Sequence, residues 1–173
     1  KFLSVEPERK FEVPDTKENR HVNPSRKHTI LVVEDEPELL HFYQELFSGE
    51  FRVLLAHNGL EGWDVALKQL PDVIISDVMM AEMDGFELCE KIKNNINISH
   101  VPVILLTAKT DTESKIKGLE AGADAYIEKP FSPFHLKAQL LNLLKKREKL
   151  QKTYASTPLS DLHSTVHNTL DEE

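Results

Sequence analysis

The chain has 173 residues, a net charge of −8 and one cysteine, Cys89. This length suits one ordinary domain with tails, and one cysteine excludes a disulfide scaffold and favours a reducing compartment, the cytoplasm. The acidic balance argues against nucleic-acid binding by this chain, and no apolar run approaches the roughly 20 residues of a membrane span. The first residue is lysine and no signal peptide is visible, which indicates a piece of a longer protein.

The two ends of the chain differ in composition from its middle. Residues 1–27 are highly charged and broken by three prolines, and residues 150–173 are rich in serine and threonine. Both ends are typical of linkers. We therefore expect one folded domain over residues 28–149, with a mostly irregular linker before it and a tail after it.

Five short apolar runs alternate with segments of helical spacing. The runs cover residues 29–33, 51–56, 72–76, 101–106 and 125–127. Because they are apolar throughout, they predict strands buried on both faces, as in a parallel sheet with helices on either side. Five βα units with right-handed crossovers favour an α/β flavodoxin-like (βα)5 doubly wound sandwich with strand order 2-1-3-4-5.

Start and stop signals flank the helical segments. Capping boxes are predicted at Asn58–Glu61, Asp84–Glu87 and Thr110–Glu113. Ser132 precedes a proline and predicts the start of the last helix. Gly122 stands where a helix needs a left-handed residue at its end.

Polar side chains follow four of the five predicted strands. They are Glu34 and Asp35 after strand 1, Asp77 after strand 3, Thr107 after strand 4 and Lys129 after strand 5. Strands 1, 3, 4 and 5 are consecutive in the predicted order, so these side chains should share one rim of the sheet. Strand 5 lies about two spacings of ~4.8 Å from strand 3, a gap that the long side chain of Lys129 can cross.

The residue types at this rim indicate phosphate chemistry. Clustered carboxylates repel one another and raise each other's pKa, and a hard divalent cation such as Mg²⁺ relieves that repulsion. A lysine and a threonine hydroxyl can then hold the oxygens of a phosphoryl group. Neither GxxxxGK[ST] nor GxGxxG occurs in the chain, so a bound nucleotide is not expected. A carboxylate nucleophile becomes the plausible phosphoryl acceptor.

Residues 28–149 resemble the receiver domain of two-component response regulators. The resemblance rests on ILVVEDEPE, DVIISDVMMAEMDGFELCEKIK, VPVILLTAK and GADAYIEKPF, in this order. It implies that Asp77 accepts a phosphoryl group from the phosphohistidine of a histidine kinase domain, in cis or in trans. It also implies that Glu34, Asp35, Asp77 and the backbone carbonyl of Met79 hold Mg²⁺.

The resemblance assigns further roles to residues on the last two strands. Lys129 and Thr107 would bind phosphoryl oxygens, Pro130 would follow a cis peptide, and Tyr126 would turn inward as Thr107 moves. The face made by helix 4, strand 5 and helix 5 would then change its preference for partners and so control an output. A second copy of the domain, bound in a homodimer through this face, is one such partner. This fragment would not be an enzyme, although it would catalyse its own phosphorylation and dephosphorylation.

The flanks resemble those of hybrid sensor proteins. In such proteins a histidine kinase precedes the receiver, an AraC-type DNA-binding region follows it, and a membrane anchor can be present. The expected output is transcription through a neighbouring DNA-binding domain. Two residues depart from the commonest family pattern: Glu34 stands in place of aspartate, and Ala81 in place of proline.

Other interpretations of the same residues stay open. A metal-dependent hydrolase with an aspartyl-phosphate intermediate should show a DxD motif, where the chain has Asp35-Glu36-Pro37. An interaction module that is not phosphorylated would normally have lost one of the acceptor, metal or lysine positions. Asp35 could only cap the helix that begins at Pro37, and Tyr126 could be half-buried core. Residues 150–154 could extend the last helix into a dimerising one.

Overall fold

Residues 27–108 and 112–156 are described by the structure, a computed structural model, except for the side chains of residues 112 and 156. The predicted linker over residues 1–26, the predicted cap at Thr110 and the tail from residue 157 lie outside the described residues.

Five strands alternate with five helices along the chain. The strands are β1 (Thr29–Val33), β2 (Arg52–Ala56), β3 (Val73–Asp77), β4 (Val103–Thr107) and β5 (Ala125–Glu128). The helices are α1 (Pro37–Ser48), α2 (Gly59–Gln69), α3 (Gly85–Asn94), α4 (Thr112–Glu120) and α5 (Pro133–Ser156). All strand pairs are parallel, and their order is β2-β1-β3-β4-β5, which confirms the predicted fold.

The core has two halves, one on each face of the sheet. Successive residues of a strand point to opposite faces, so Leu31 and Val33 pack among residues of α2 and α3, whereas Ile30 and Val32 pack among residues of α1 and α5. Every residue of β1, β3 and β4 is buried. This two-sided burial explains why the strands read as continuous apolar runs.

The predicted helix starts differ in how fully they form. Asp84 and Glu87 make a complete capping box at α3, with distances of 2.8 and 3.0 Å. At α2, Asn58 accepts from the amide of Glu61 at 2.8 Å, but the Glu61 carboxylate accepts from the amide of His57 instead. The second half of that predicted box is therefore wrong, because His57 offers both its amide and its ring to the same carboxylate.

Helix α5 continues to Ser156, beyond residue 149, where the tail was expected to begin. Residues 145–152 are mostly good helix formers and contain no glycine or proline, so nothing in that stretch stops the helix. Leu150 and Tyr154 on this extension are exposed. Within the described ranges, no helix combines the length and the apolar character needed to cross a bilayer.

Candidate functional site

The carboxyl edge of the sheet carries the polar residues that the sequence analysis singled out. Glu34 directly follows β1, Asp77 and Thr107 are the last residues of β3 and β4, and Lys129 directly follows β5. Backbone hydrogen bonds continue past the strand ends: the amide of Glu34 donates to Ala56, and the amide of Lys129 donates to Thr107 at 2.7 Å. The rim positions are thus fixed by the ladders of the sheet itself.

Lys129 reaches across β4 to the acidic residues of the central strands. Its Nζ lies 2.7 Å from Oδ1 of Asp77 and 3.2 Å from Oε2 of Glu34. Burial disfavours the ammonium form of Lys129, but the hydrogen bond and charge of Asp77, with the charge of Glu34, outweigh it and raise the pKa of the lysine. Lys129 therefore stays a cation at this rim.

Three carboxylates converge beside this lysine. Oxygen atoms of Glu34, Asp35 and Asp77 all lie within 4.8 Å of one another. Glu34 and Asp77 are buried, with 2% and 6% of their surface exposed, and Asp35 is exposed. Burial, and then the charge of Asp77, raise the pKa of Glu34 although Lys129 acts to lower it. The cluster is closed on the sheet side and open on the side of Asp35.

The donor set fits a hard divalent cation. All three side chains offer carboxylate oxygens, the ligands that Mg²⁺ prefers. Burial, and then the charge of Asp77, raise the pKa of Glu34, and a bound cation would oppose both effects because it favours the charged carboxylate. Asp35 does not cap α1: the N-cap residue is Glu36, which makes no side-chain cap hydrogen bond. The alternative in which Asp35 serves only as a cap is therefore wrong.

Two glycines allow other backbone segments to pack closely against the loop that follows Asp77. The amide of Met79 donates to Oδ2 of Asp77 at 2.9 Å, so both carboxylate oxygens have partners. A Cβ at Gly85 would lie 2.2 Å from the carbonyl oxygen of Asp77, and one at Gly59 would lie 2.4 Å from that of Met83. Only glycine permits such close approach. The sequence does not reveal either contact, because both depend on how the backbone of this loop folds.

Thr107 and Tyr126 lie on the same face of the sheet. Leu105 pairs with Tyr126 and Thr107 pairs with Glu128 across neighbouring strands, and residues two apart in a strand share a face. Thr107 is fully buried, and Tyr126 is half-buried against the core on the α2 and α3 side. The peptide between Lys129 and Pro130 is cis, as the resemblance implied.

Tyr43 on α1 is a neighbour of the site that the sequence analysis missed. It is buried, and burial raises its pKa to about 12, with the charges of Lys129, Glu34 and Asp77 also acting on it. In sequence it belongs to the apolar stripe of α1, where a buried residue is expected anyway. No local signal distinguishes it from ordinary core.

Residues 30–141 match the family model of the response regulator receiver domain, which is more than half of the chain. The chain belongs to the receiver domain family. Receiver domains act in two-component systems, where they accept phosphoryl groups from histidine kinases, and they generally bind Mg²⁺ at an acidic pocket.

Relatives of this receiver domain occur inside kinases and in separate regulators. Histidine kinase P4 of Formosa agariphila is 38% identical over 88% of this chain, which spans 11% of that protein. Hybrid signal transduction histidine kinase D of Dictyostelium discoideum is 36% identical over 88% of this chain, with 10% of that protein covered. Response regulator Rre1 of Synechocystis is 38% identical over 69% of this chain and 53% of that protein. The chain thus spans about a tenth of the two kinases and about half of the regulator.

Solved receiver domains have the same fold. The signal receiver domain of a histidine kinase from Syntrophus aciditrophicus superposes with a TM-score of 0.66 at 35% identity, covering 69% of this chain and 91% of that one. A CheY-like receiver domain from Methanospirillum hungatei superposes with a TM-score of 0.68 at 28% identity, covering 72% of this chain and 98% of that one.

Proposed function

We propose that Asp77 is the phosphoryl acceptor of a signalling switch. The observation that carries this assignment is the 2.7 Å contact between Asp77 Oδ1 and Lys129 Nζ within a cluster of three carboxylates. Asp77 is the acidic residue that ends the central strand β3, so it stands between the residues of β1 and those of β4 and β5. A phosphoryl group on this carboxylate would be within reach of side chains from both sides.

The two other carboxylates are less suited to accept phosphate. Glu34 is buried directly after β1, and the burial and the charge of Asp77 that raise its pKa disfavour its anionic form. Asp35 is exposed. A phosphoryl group on Asp35 would lie away from Lys129, which is paired with the buried residues Glu34 and Asp77. Asp77 has both oxygens oriented, one by Lys129 and the other by the Met79 amide. Such prior orientation lowers the entropic cost of reaching the transition state.

The proposed step is an in-line displacement at phosphorus. A carboxylate oxygen of Asp77 forms the new bond to phosphorus, the bond from phosphorus to the kinase histidine nitrogen breaks, and the electron pair leaves with the imidazole. Lys129 moves from the Asp77 carboxylate to a phosphoryl oxygen, and the Thr107 hydroxyl donates to another. Attack of water on phosphorus then breaks the bond between phosphorus and the Asp77 oxygen, releases inorganic phosphate and returns Asp77 to a free carboxylate.

A magnesium ion would be held by Glu34, Asp35 and Asp77, with the carbonyl of Met79 as a further ligand. When bound, Mg²⁺ neutralises the charge that gathers where several carboxylate and phosphoryl oxygens meet. The buried Glu34 supplies the inner wall of this site and the exposed Asp35 its rim.

The output of the switch is proposed to run through α4, β5 and α5. Thr107 and Tyr126 share a face of the sheet, so a shift of the threonine towards phosphate changes the space beside the tyrosine. The face of α4, β5 and α5 then changes its affinity for a partner or for a second copy of the domain. We place the parent protein in the cytoplasm, with the histidine kinase domain in the same chain or in a separate one. The output that it controls is transcription, through a neighbouring DNA-binding domain.

Intact mass measurement tests the acceptor directly. With acetyl phosphate and Mg²⁺, the wild-type chain should gain about 80 Da, the mass of one phosphoryl group. Asp77→Asn should show no gain, and chelation of the metal should suppress the gain in the wild type.

Asp84→Asn is the matched control, because Asp84 lies in the same loop and asparagine also serves as an N-cap. It should gain mass as the wild type does. A wild-type chain that binds Mg²⁺ but gains no mass would instead favour the interaction module without phosphorylation.

A further inference from the structure

Among the side chains that the structure describes on α4, those that face inward are all small. Ser114 and Gly118 within α4, and Ala121 just beyond its end, are buried, whereas the large apolar residues Ile116 and Leu119 are 49% and 74% exposed. An amphipathic helix ordinarily places its large apolar residues inward. The space beneath α4 must therefore be filled by a side chain from another element.

That side chain is Tyr126 of β5. A Cβ built on Gly118 would lie 2.9 and 3.0 Å from the ring carbons Cδ2 and Cε2 of Tyr126, and 3.5 Å from Cε1 of Phe86. Side-chain carbons do not normally approach so closely, because the interior is already packed to the density of a crystal. The Tyr126 ring can occupy this position only because residue 118 lacks a side chain.

Glycine at this position is unfavourable for the helix itself. Apart from proline it is the poorest helix former, and Gly118 does not lie at a left-handed cap, since the positive φ belongs to Gly122. The gain that offsets this cost is the close approach of an aromatic ring to the bare backbone.

Two contacts on either side of Gly118 link α4 to neighbouring elements. Lys115 Nζ lies 2.7 Å from a carboxylate oxygen of Glu128 on β5, and Lys117 Nζ lies 5.3 Å from the ring centre of Phe86 on α3. Lifting α4 would break both contacts, whereas the Tyr126 ring can turn about its own side-chain bonds. A methyl group at position 118 is thus expected to displace the ring rather than the helix.

We infer that Gly118 is a positioning residue that sets the location of the Tyr126 ring and thereby the output of the switch, while leaving phosphoryl acceptance at Asp77 intact. The part concerning the switch rests on the proposed function. The part concerning the position of the ring rests on packing alone, and the two parts can be tested separately.

The first experiment measures the ring without any phosphoryl donor. The chain contains three tyrosines, and Tyr126→Phe assigns the signal of Tyr126 in an NMR spectrum of ring-labelled tyrosine. Gly118→Ala should shift that signal. Gly49→Ala is the matched control, because a Cβ there meets nothing within 4 Å, and it should leave the signal unchanged. A Tyr126 signal that is the same in Gly118→Ala and in wild type would overturn the inference.

A double-mutant cycle separates steric displacement from helix propensity. In the wild-type background, Gly118→Ala introduces a clash and should lower the midpoint of thermal unfolding or leave it unchanged. In the Tyr126→Ala background the ring is gone, and the same substitution should raise the midpoint, because alanine is the better helix former. An equal effect of Gly118→Ala in both backgrounds would contradict coupling between the two residues.

The second experiment adds acetyl phosphate and Mg²⁺. Gly118→Ala should still gain the mass of one phosphoryl group, but the change in its Tyr126 signal should be smaller than in wild type by about twofold or more. A change of the same size, or loss of the mass gain, would refute the regulatory role of Gly118. Failure of the wild-type chain to gain mass would instead count against the acceptor assignment, and the donor-free measurement would still decide the position of the ring.

Discussion

Lys129 and Asp77 are in contact although a whole strand separates the elements that carry them. The ammonium nitrogen lies 2.7 Å from the carboxylate, with β4 between β3 and β5. The same ammonium also contacts the buried Glu34, so one lysine compensates two carboxylates at the rim. The charge balance of the site therefore depends on a side chain that is long enough to span two strand spacings.

Lys129→Met should destabilise the chain in the absence of metal. The substitution keeps most of the apolar stem but leaves Glu34 and Asp77 side by side without a cation, so we expect a loss of about 1–3 kcal/mol in the free energy of unfolding. Urea denaturation at pH 7 measures it. Added Mg²⁺ should recover part of the loss.

Lys115→Met is the control for that measurement. Lys115 also lies 2.7 Å from a carboxylate, but both partners are about half exposed, and exposed pairs contribute only about 0–1 kcal/mol. If the two variants lose the same stability, then burial of the Lys129 contacts does not determine their strength.

The raised pKa of Glu34 should make both stability and magnesium binding depend on pH. Burial and the charge of Asp77 raise this pKa above the ordinary value of 4.5. The folded chain then binds the Glu34 proton more tightly than the unfolded chain does. The stabilising contribution of that proton is complete below the unfolded pKa and is lost as the pH rises through the folded pKa. Mg²⁺ competes with the same proton. As the pH falls, the affinity of the site for Mg²⁺ should therefore decrease at a higher pH than the pH at which an ordinary carboxylate becomes protonated.

Glu34→Gln tests this assignment. Calorimetric titration with Mg²⁺ between pH 4.5 and 8 should show weaker binding and a flatter pH dependence than in wild type. Without metal, the variant should no longer lose stability over the pH range in which Glu34 ionises in the wild type. Glu38→Gln, an exposed change in the first turn of α1, is the control. Wild-type affinity that stays constant while the pH falls through this range would contradict the assignment.

Most of the fold and the rim of the site follow from local patterns in the sequence. Apolar runs predicted the strands, and the polar residues that end them predicted that Asp77 and Lys129 share an edge, because parallel strands align their carboxyl ends. Tyr43 and Gly85 could not be found in this way. Tyr43 matters through its electrostatic interaction with Lys129, which exists only after α1 and the end of β5 have been brought together. Gly85 matters through its close approach to the Asp77 carbonyl, which depends on how the backbone of the loop between them folds.

Differences at the ends of elements have similarly local causes. Helix α5 continues to Ser156, as the helix propensity of its residues favours, past residue 149, where the folded domain was expected to end. The predicted fourth strand began at Val101, but β4 begins at Val103. Pro102 precedes it and has no amide hydrogen to donate to a ladder.

Gly85→Ala should damage the acceptor site through the backbone. The added methyl would lie 2.2 Å from the carbonyl oxygen of Asp77 and 2.9 Å from Cα of Val78, and neither backbone atom can move without shifting the end of β3. We expect a loss of about 1–3 kcal/mol in stability, as overpacked sites show, together with weaker Mg²⁺ binding. Gly49→Ala, which adds its methyl in open space, should leave both quantities close to wild type. A Gly85→Ala chain with wild-type stability would contradict this prediction, because it would show that the loop after Asp77 can rearrange to accommodate the methyl group.

Asp72 should matter for stability but not for phosphorylation, because it lies at the opposite edge of the sheet. Its carboxylate accepts from the amide of Thr29 at 2.8 Å and lies 3.4 Å from Arg147 Nη1, which also donates to the Asp72 carbonyl at 2.6 Å. Burial lowers the pKa of Arg147 and the charge of Asp72 opposes that change. The carboxylate thus joins the start of β1 to α5 and compensates a largely buried cation.

Asp72→Ala should cost about 1–3 kcal/mol, because it leaves an amide and a guanidinium without this partner. Asp72→Asn keeps an acceptor for Thr29 but removes the charge, so its loss should be smaller. Both variants should gain the mass of a phosphoryl group as the wild type does, because the acceptor lies at the far end of β3. Urea denaturation and intact mass separate the two effects. A folded Asp72→Ala chain that cannot be phosphorylated would show that the two edges of the sheet are coupled.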